Sequence, residues 1–275
     1  ANGAISGEYG SASEGFLQLS GNGRYLTIGG YGVAAAAFNA AADAQNAGGP
    51  ASPYGATALG QTTSLAGGAS TLVPRVAALI DASGHVDTST AVSGVFNQNN
   101  IRSVATVDGS TLYLSGQGAT KGDGTEGVFV ATRGASSATA IDTSTDTRDV
   151  SIQNTGQNAG NGSQLFVSRD VNPSGKGGQN LTNVSSLSGP GGALPTSAAG
   201  LAVARVIPAT ASVAGGNTAS IDLTAALANG VNNSRIGSFV YLSPEQYFFA
   251  SPDVLYVADS GSPKNGNANK AALGE

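Results

Sequence analysis

At 275 residues and a formal net charge of −5, the chain is long enough to bury a core without covalent staples. Its twelve Lys and Arg are scattered singly, which argues against a nucleic-acid partner, because phosphate binding needs a basic patch. Cysteine is absent, so disulfides and thiolate metal sites are excluded, and no apolar run approaches the roughly eighteen residues of a membrane span.

Charged residues make up 11% of the chain and glycine occurs 41 times. A chain with so few charges stays wet through Ser, Thr, Asn and Gln, a habit of secreted and cell-surface proteins. Methionine is absent even from position 1. A removed signal peptide is the simplest account, and trimming of an initiator Met before Ala1 is the alternative.

In chain order, residues 1–15 are polar and small. Phe16 to Leu19, a turn over Ser20 to Gly23, and Arg24 to Ile28 form a first hairpin. Ala34 to Ala47 has the propensity for a short helix but no wide apolar stripe, and Gly48, Gly49, Pro50 and Pro53 break any regular element beyond it. Residues 34–70 therefore read as a long, mostly irregular surface insertion that adds little to the core.

Arg75 to Asp81 is a strand, Ala82 to Gly84 a turn, and His85 to Thr90 its partner. The clearest hairpin runs from Ile101 to Val107, through Asp108-Gly109-Ser110, and back over Thr111 to Ser115. An Asp-Gly pair between apolar runs signals such a turn, because both residues tolerate positive φ. Gly127 to Thr132 pairs with Ala138 to Asp142, and Val150 to Gln153 with Gln164 to Val167. Residues 173–195 read as a second irregular surface insertion. Leu201 to Ile207 resumes the strand pattern, Thr224 to Ala228 suits one helical turn, and strands come next at Phe239 to Leu242, Tyr247 to Phe249 and Val254 to Val257. Residues 261–275 read as a tail.

Many short strands with turn signals predict an all-β domain over residues 1–275, either a β-propeller or a β-sandwich. The aromatics of the returning strands, Tyr25, Tyr113, Phe166 and Tyr256, lie 88, 53 and 90 residues apart. Propeller blades run about 40–50 residues. The middle gap is thus one blade, and the outer gaps are one blade plus an insertion, or two blades. That spacing favours a propeller of about five to seven blades, incomplete within this chain, with extra blades running through Arg75 to Thr90 and Leu201 to Ile207. The residues after Tyr256 lack apolar alternation, so the final blade needs outer strands from further chain or a neighbouring subunit.

The segments GRYLTIGGYG at 23–32, RVAALIDASGHVDTST at 75–90, NNIRSVATVDGSTLYLSGQG at 99–118 and DVLYVADSG at 253–261 resemble a group of poorly characterised exported β-propeller repeat proteins, best known from bacteria. The resemblance implies a propeller fold and export. It implies no catalytic residue set.

Candidate chemistry is sparse. His85, the single histidine, is flanked by Asp81 and Asp87, the beginnings of a triad, but no GxSxG elbow supplies a nucleophile and the carboxylates suit turn capping. Gly122 to Gly127 matches GxGxxG literally, yet a strand rather than a helix comes after it, so the dinucleotide reading fails. Asp142, Asp146 and Asp149 offer oxygen ligands to calcium, though at no standard calcium-loop spacing. Asn161, Asn180, Asn183 and Asn232 match the N-glycosylation pattern. Tyr31, Tyr54, Tyr241 and Tyr247 could stack on sugar rings, but Trp, the strongest sugar platform, is absent, and core packing is the plainer role.

The sequence therefore predicts a non-catalytic structural or interaction module, secreted or at the cell surface, with a protein partner or self-assembly. A carbohydrate-binding propeller is the alternative, and a hydrolase or lyase with a central-channel site is the third reading.

Overall fold

Short strands of alternating residues, closed by Asp and Gly turns, form a series of antiparallel meanders. A computed structural model describes residues 2–8, 14–120, 122–153, 162–169, 183–206, 220–221, 240–241, 244–251 and 254–259. The first sheet is β1 (Gln18–Leu19), β2 (Tyr25–Tyr31), β3 (Arg75–Asp81) and β4 (Val86–Val92), paired in chain order. The second is β5 (Ile101–Thr106), β6 (Thr111–Gly116), β7 (Gly127–Thr132) and β8 (Thr139–Asp142), and the third is β9 (Val150–Gln153), β10 (Gln164–Arg169), β11 (Asn183–Ser188) and β12 (Ala202–Arg205). Two ribbons come after them, β13 (Ser220–Ile221) with β14 (Val240–Tyr241), and β15 (Pro244–Ser251) with β16 (Val254–Asp259). The described residues are all-β apart from α1 (Ala35–Asn46) and two short 3₁₀ turns, and no described sheet closes on itself.

The turns share one device. The Oδ1 atoms of Asp81, Asp108 and Asp142 each accept from the backbone N–H and the hydroxyl of the Ser two residues on, Ser83, Ser110 and Ser144. Such Asx turns satisfy backbone donors locally. Gly84 and Gly109 then supply the left-handed φ of +81° and +86° that reverses the chain.

Each junction between successive sheets has its own apolar core. Leu79, Val104, Leu112, Leu114 and Phe129 fill the first junction, with Tyr31 and Ala77. Ala105, Tyr113, Val130, Val150, Leu165 and Leu187 fill the second, and Phe166, Val184 and Tyr247 the third. Sheets two and three are covered on both faces. Accordingly every residue of β5 and β10 is buried rather than every second one.

A hydroxyl stitches each junction. Thr27 on β2 donates to the Val104 carbonyl, Ser115 on β6 to the Arg148 carbonyl, and Ser168 on β10 to the Glu245 carbonyl. Each hydroxyl lies two residues after the anchor aromatic, in Tyr25-Leu-Thr27, Tyr113-Leu-Ser115 and Phe166-Val-Ser168. Position two after the aromatic faces the next sheet, because side chains alternate along a strand. The fourth such triplet ends in Ala258. Substituting Ser115→Ala should cost about 1–2 kcal/mol, since the buried Arg148 carbonyl loses a donor. An unchanged chemical-denaturation midpoint would contradict the stitch.

Tyr25, Tyr113, Phe166 and Tyr256 each stand on the second strand of their sheet or ribbon. Other expectations need correction. Arg75 to Thr90 is no separate blade but the outer half of sheet one, and Ala202–Arg205 is the outer strand of sheet three. Residues 34–70 do reach the core. Phe38 and Leu59 are buried in the first junction, and Phe38 packs at 5.3 Å on Tyr54, so one aromatic on an Ala-rich helix replaces the missing stripe. Within 173–195, β11 is an interior strand paired with both β10 and β12. Its Ser-rich sequence hides two fully buried apolar residues on opposite faces, Val184 toward the third junction and Leu187 toward the second. The candidate turn Thr224 to Ala228 lies outside the described residues.

Candidate functional site

Three of the carboxylates singled out by sequence, Asp87, Asp142 and Asp146, are brought into contact with arginines from distant parts of the chain. Asp87 of sheet one takes Arg133 of sheet two, whose Nε and Nη2 both lie 2.6 Å from Oδ2. Asp142 takes Arg169 of sheet three at 2.6 Å, and Asp146, just before β9, takes Arg102 of β5 at 2.8 Å. Arg148 pairs with Glu245 of β15 across the third junction. Every junction thus carries at least one guanidinium–carboxylate bond. Hydrogen bonds from Ser89 and Arg133 hold Asp87 down at about 2 against the opposing effect of burial. Asp142 is also lowered, by the Arg169 charge and by Ser144 and Arg169 hydrogen bonds that outweigh burial.

These pairings separate the sequence candidates. His85 is exposed, with Nδ1 3.9 Å from Asp81, while Asp87 is committed to Arg133, so the three do not form a catalytic set. Asp142, Asp146 and Asp149 face different partners rather than one another. The Gly122 to Gly127 loop joins β6 to β7 and opens a strand, as its GxGxxG context required. Asn183 is the first residue of β11, opposite Arg169, not a loop residue; Asn161, Asn180 and Asn232 lie outside the described residues. Tyr31 and Tyr247 are buried, and Tyr54 packs on Phe38.

Asp149 is the point where the first strands of several sheets meet. Its Oδ1 accepts from the Gln18 carboxamide of β1 at 2.6 Å and from the Ser103 hydroxyl of β5 at 2.9 Å. Nearby, Ser151 donates to the Tyr247 hydroxyl of β15 at 2.9 Å. Burial pushes the Asp149 carboxyl up to about 7, against the lowering effect of the Ser103, Gln18 and Tyr247 backbone hydrogen bonds. It is 1% exposed, so no substrate reaches it.

A second node, around Arg75 at the start of β3, has no signature in the sequence. This guanidinium is fully buried, and its hydrogen bonds run to carbonyls and a hydroxyl rather than to a carboxylate. Its Nη1 donates to the Val73 carbonyl at 2.9 Å and the Thr62 hydroxyl at 3.1 Å. Its Nη2 reaches the carbonyls of Thr62 at 2.9 Å, Phe96 at 2.8 Å, Asn99 at 3.0 Å and Gly60 at 3.4 Å. The cation lies 4.9 Å from the Tyr31 ring centre, and the Tyr31 hydroxyl donates to Glu14. Burial lowers Arg75 to about 10, so it remains charged at neutral pH.

The cage fixes the surface above it. Phe96 and Gln98 hold left-handed φ of +48° and +52°, a conformation that L-residues keep only when their surroundings enforce it. The Arg75 bonds to Phe96 and Asn99, and the Gln98 N–H bond to the Thr62 carbonyl at 3.1 Å, supply that enforcement. Between this loop, the 59–61 turn and the end of α1 lies a hollow of about 520 Å³ lined by Gln45, Gly55, Ala56, Thr57, Gln61 and Gln98. Its lining carries no carboxylate, histidine or lysine that could act as a catalytic acid or base.

No helix among the described residues is long and apolar enough to cross a membrane. Compared with known proteins, the chain matches no family model, no curated protein and no solved structure.

Proposed function

We propose that this chain is a non-catalytic, exported interaction module built on a β-propeller scaffold, which assembles head to tail with a second copy of itself. The serial stacking of four-stranded meanders supports the scaffold, and the low charge and Ser/Thr/Asn-rich composition support export. Among the described residues, Asp87, Asp142, Asp146 and Glu245 are committed to arginines across sheet junctions, which supports a non-catalytic reading.

One observation carries the assembly. The β15–β16 ribbon presents Tyr247, Phe249, Leu255 and Val257 to sheet three, as the earlier junctions do, while no other described sheet packs on its opposite face. There Phe248 and its cross-strand partner Tyr256 are 61% and 64% exposed, flanked by exposed Val254. At the opposite end of the stack, sheet one presents a continuous cross-strand row on its outer face, Leu19, Leu26, Ile80 and Val86. Leu19 is 63% exposed there, and the segment Asn2 to Ser6 covers only the other half of that face, through bonds to Thr88 and Tyr31. The same front-on-back contact occurs at three junctions within the chain. The two open apolar faces are the halves of one more, and a heterologous contact of this kind links copies head to tail.

Sedimentation velocity over a concentration series tests this. The wild-type chain should shift to larger species as concentration rises, and Phe248→Asp should stay monomeric with an unchanged circular dichroism spectrum. A wild-type chain that is monomeric throughout, or a variant that associates equally well, would contradict the proposal.

A further inference from the structure

We infer that the hollow over the Arg75 cage binds a neutral carbohydrate, a function independent of the assembly faces and on a different part of the surface. Its walls are three carboxamides, Gln45, Gln61 and Gln98, with Thr57 and the backbone of Gly55 and Ala56. None of these residues is charged, so the hollow offers no opposite charge to favour an ionic ligand over a neutral one. The lining is also nearly free of apolar side chains, which disfavours a lipid or a hydrophobic peptide. What remains is a ligand whose surface alternates hydrogen-bond donors and acceptors. A carboxamide offers both, with two N–H donors and a carbonyl acceptor, and so complements hydroxyls that each donate and accept. The volume of about 520 Å³ lies within the range of small-ligand pockets.

The hollow is also built to stay in place. Gln45 stands in the last turn of α1, with its Oε1 accepting from the Ser52 N–H at 2.7 Å. Gln61 lies between Gly60 and Thr62, and Gln98 between Phe96 and Asn99. The carbonyls of all four flanking residues converge on the one Arg75 guanidinium. Two walls that are distant in sequence are therefore fixed relative to each other by a single buried cation. Such preorganisation matters for a sugar, which gains little from apolar burial and binds through several aligned hydrogen bonds. The left-handed backbone at Gln98 is the cost of this arrangement. At a plain surface turn Gly or Asn fills such a position more comfortably.

The test is an array of immobilised neutral and acidic oligosaccharides probed with the purified wild-type chain, followed by calorimetric titration of the strongest hit. Two variants separate binding from folding. Gln98→Gly removes one carboxamide while relieving the positive φ, so it should fold at least as stably as wild type. Gln61→Ala removes the second from an exposed position. We expect saturable binding to a neutral glycan, weakened at least about tenfold in either variant, as for the loss of one or two well-placed hydrogen bonds. Absence of any neutral hit, binding confined to acidic glycans, or affinity unchanged in both variants would overturn the inference.

Discussion

Replacing Arg75 with Met should destabilise the protein by about 4 kcal/mol or more, one of the largest losses expected from any single substitution in the described chain. The guanidinium is fully buried and serves five carbonyls and one hydroxyl. Met fills much of the volume but leaves those acceptors without donors. Each buried unsatisfied group costs about 1–3 kcal/mol, reduced where water reaches it. A domain's whole stability is about 5–15 kcal/mol, so a large fraction would be lost. Arg75→Lys keeps the charge but offers three donors on one nitrogen in place of a planar fork, and should fall between wild type and Met. Urea denaturation gives the overall loss. Hydrogen exchange locates it, with protection falling first in residues 59–62 and 96–99. A Met variant as stable as wild type would mean that the cage is not holding these loops.

The second large effect is the dependence on pH that Asp149 imposes. Burial holds its carboxyl at about 7 in the folded chain, against an ordinary value of 3.8. The folded state therefore binds this proton more tightly than the unfolded state. Stability from this group is complete below about pH 4, declines as pH rises from about 4 to about 7, and is level above that. The full span corresponds to about 4 kcal/mol. Asp87 acts in the opposite sense, since its lowered value of about 2 makes its contribution present above about pH 4 and lost as pH falls through about 2. Asp142, also lowered, acts in the same direction as Asp87. Together these groups place the optimum at about pH 4, where the Asp149 loss at higher pH and the Asp87 loss at lower pH have both not yet begun. Asp149→Asn keeps an acceptor for Gln18 and Ser103 and has no charge to bury. Its urea midpoint should change little between pH 4.5 and 8, and at pH 8 it should exceed that of wild type. A wild-type midpoint that rises over this interval would refute the assignment.

Much of the sheet architecture was legible because its signals are local. The Asp-x-Ser turns at Asp81 and Asp108 join β3 to β4 and β5 to β6 and so define those hairpins, while the one at Asp142 leads out of sheet two. The aromatic anchors Tyr25, Tyr113 and Phe166 fall on second strands because an aromatic there fills the junction with an adjacent sheet, while the fourth, Tyr256, lies on the exposed face of its ribbon. The hydroxyls at Thr27, Ser115 and Ser168 stand at a fixed spacing of two residues after Tyr25, Tyr113 and Phe166, a signal that emerges only when the side chains sharing a strand face with the aromatic are compared. Strand β11 was illegible because buried Ser185 and its neighbours leave only Val184 and Leu187 as apolar cues. The helix over Ala35–Asn46 lacks a stripe because small alanines pack closely and Phe38 alone reaches deep.

The sites were less legible than the fold. Asp142, Asp146 and Asp149 invite a cation when read along the chain. In space each meets an arginine or an amide from a segment far away in sequence. Arg75 has no carboxylate neighbour in the chain to betray it, since its partners are carbonyls, and carbonyls carry no sequence signature. Gln61 and Gln98 read as ordinary loop residues until the cage beneath them brings the two loops to one hollow.

The chain lacks cysteine, which allows the head-to-tail junction to be tested by placing two. In the double variant Leu26→Cys, Phe248→Cys, one cysteine stands on the outer face of sheet one and the other on the open face of the β15–β16 ribbon. Mild oxidation and then non-reducing electrophoresis read the outcome. Head-to-tail assembly predicts a ladder of covalently linked copies from the double variant. A mixture of the two single variants should give predominantly the Leu26→Cys to Phe248→Cys dimer. Monomers bridged internally, or no cross-link between these two positions above that of a control pair elsewhere on the surface, would contradict it.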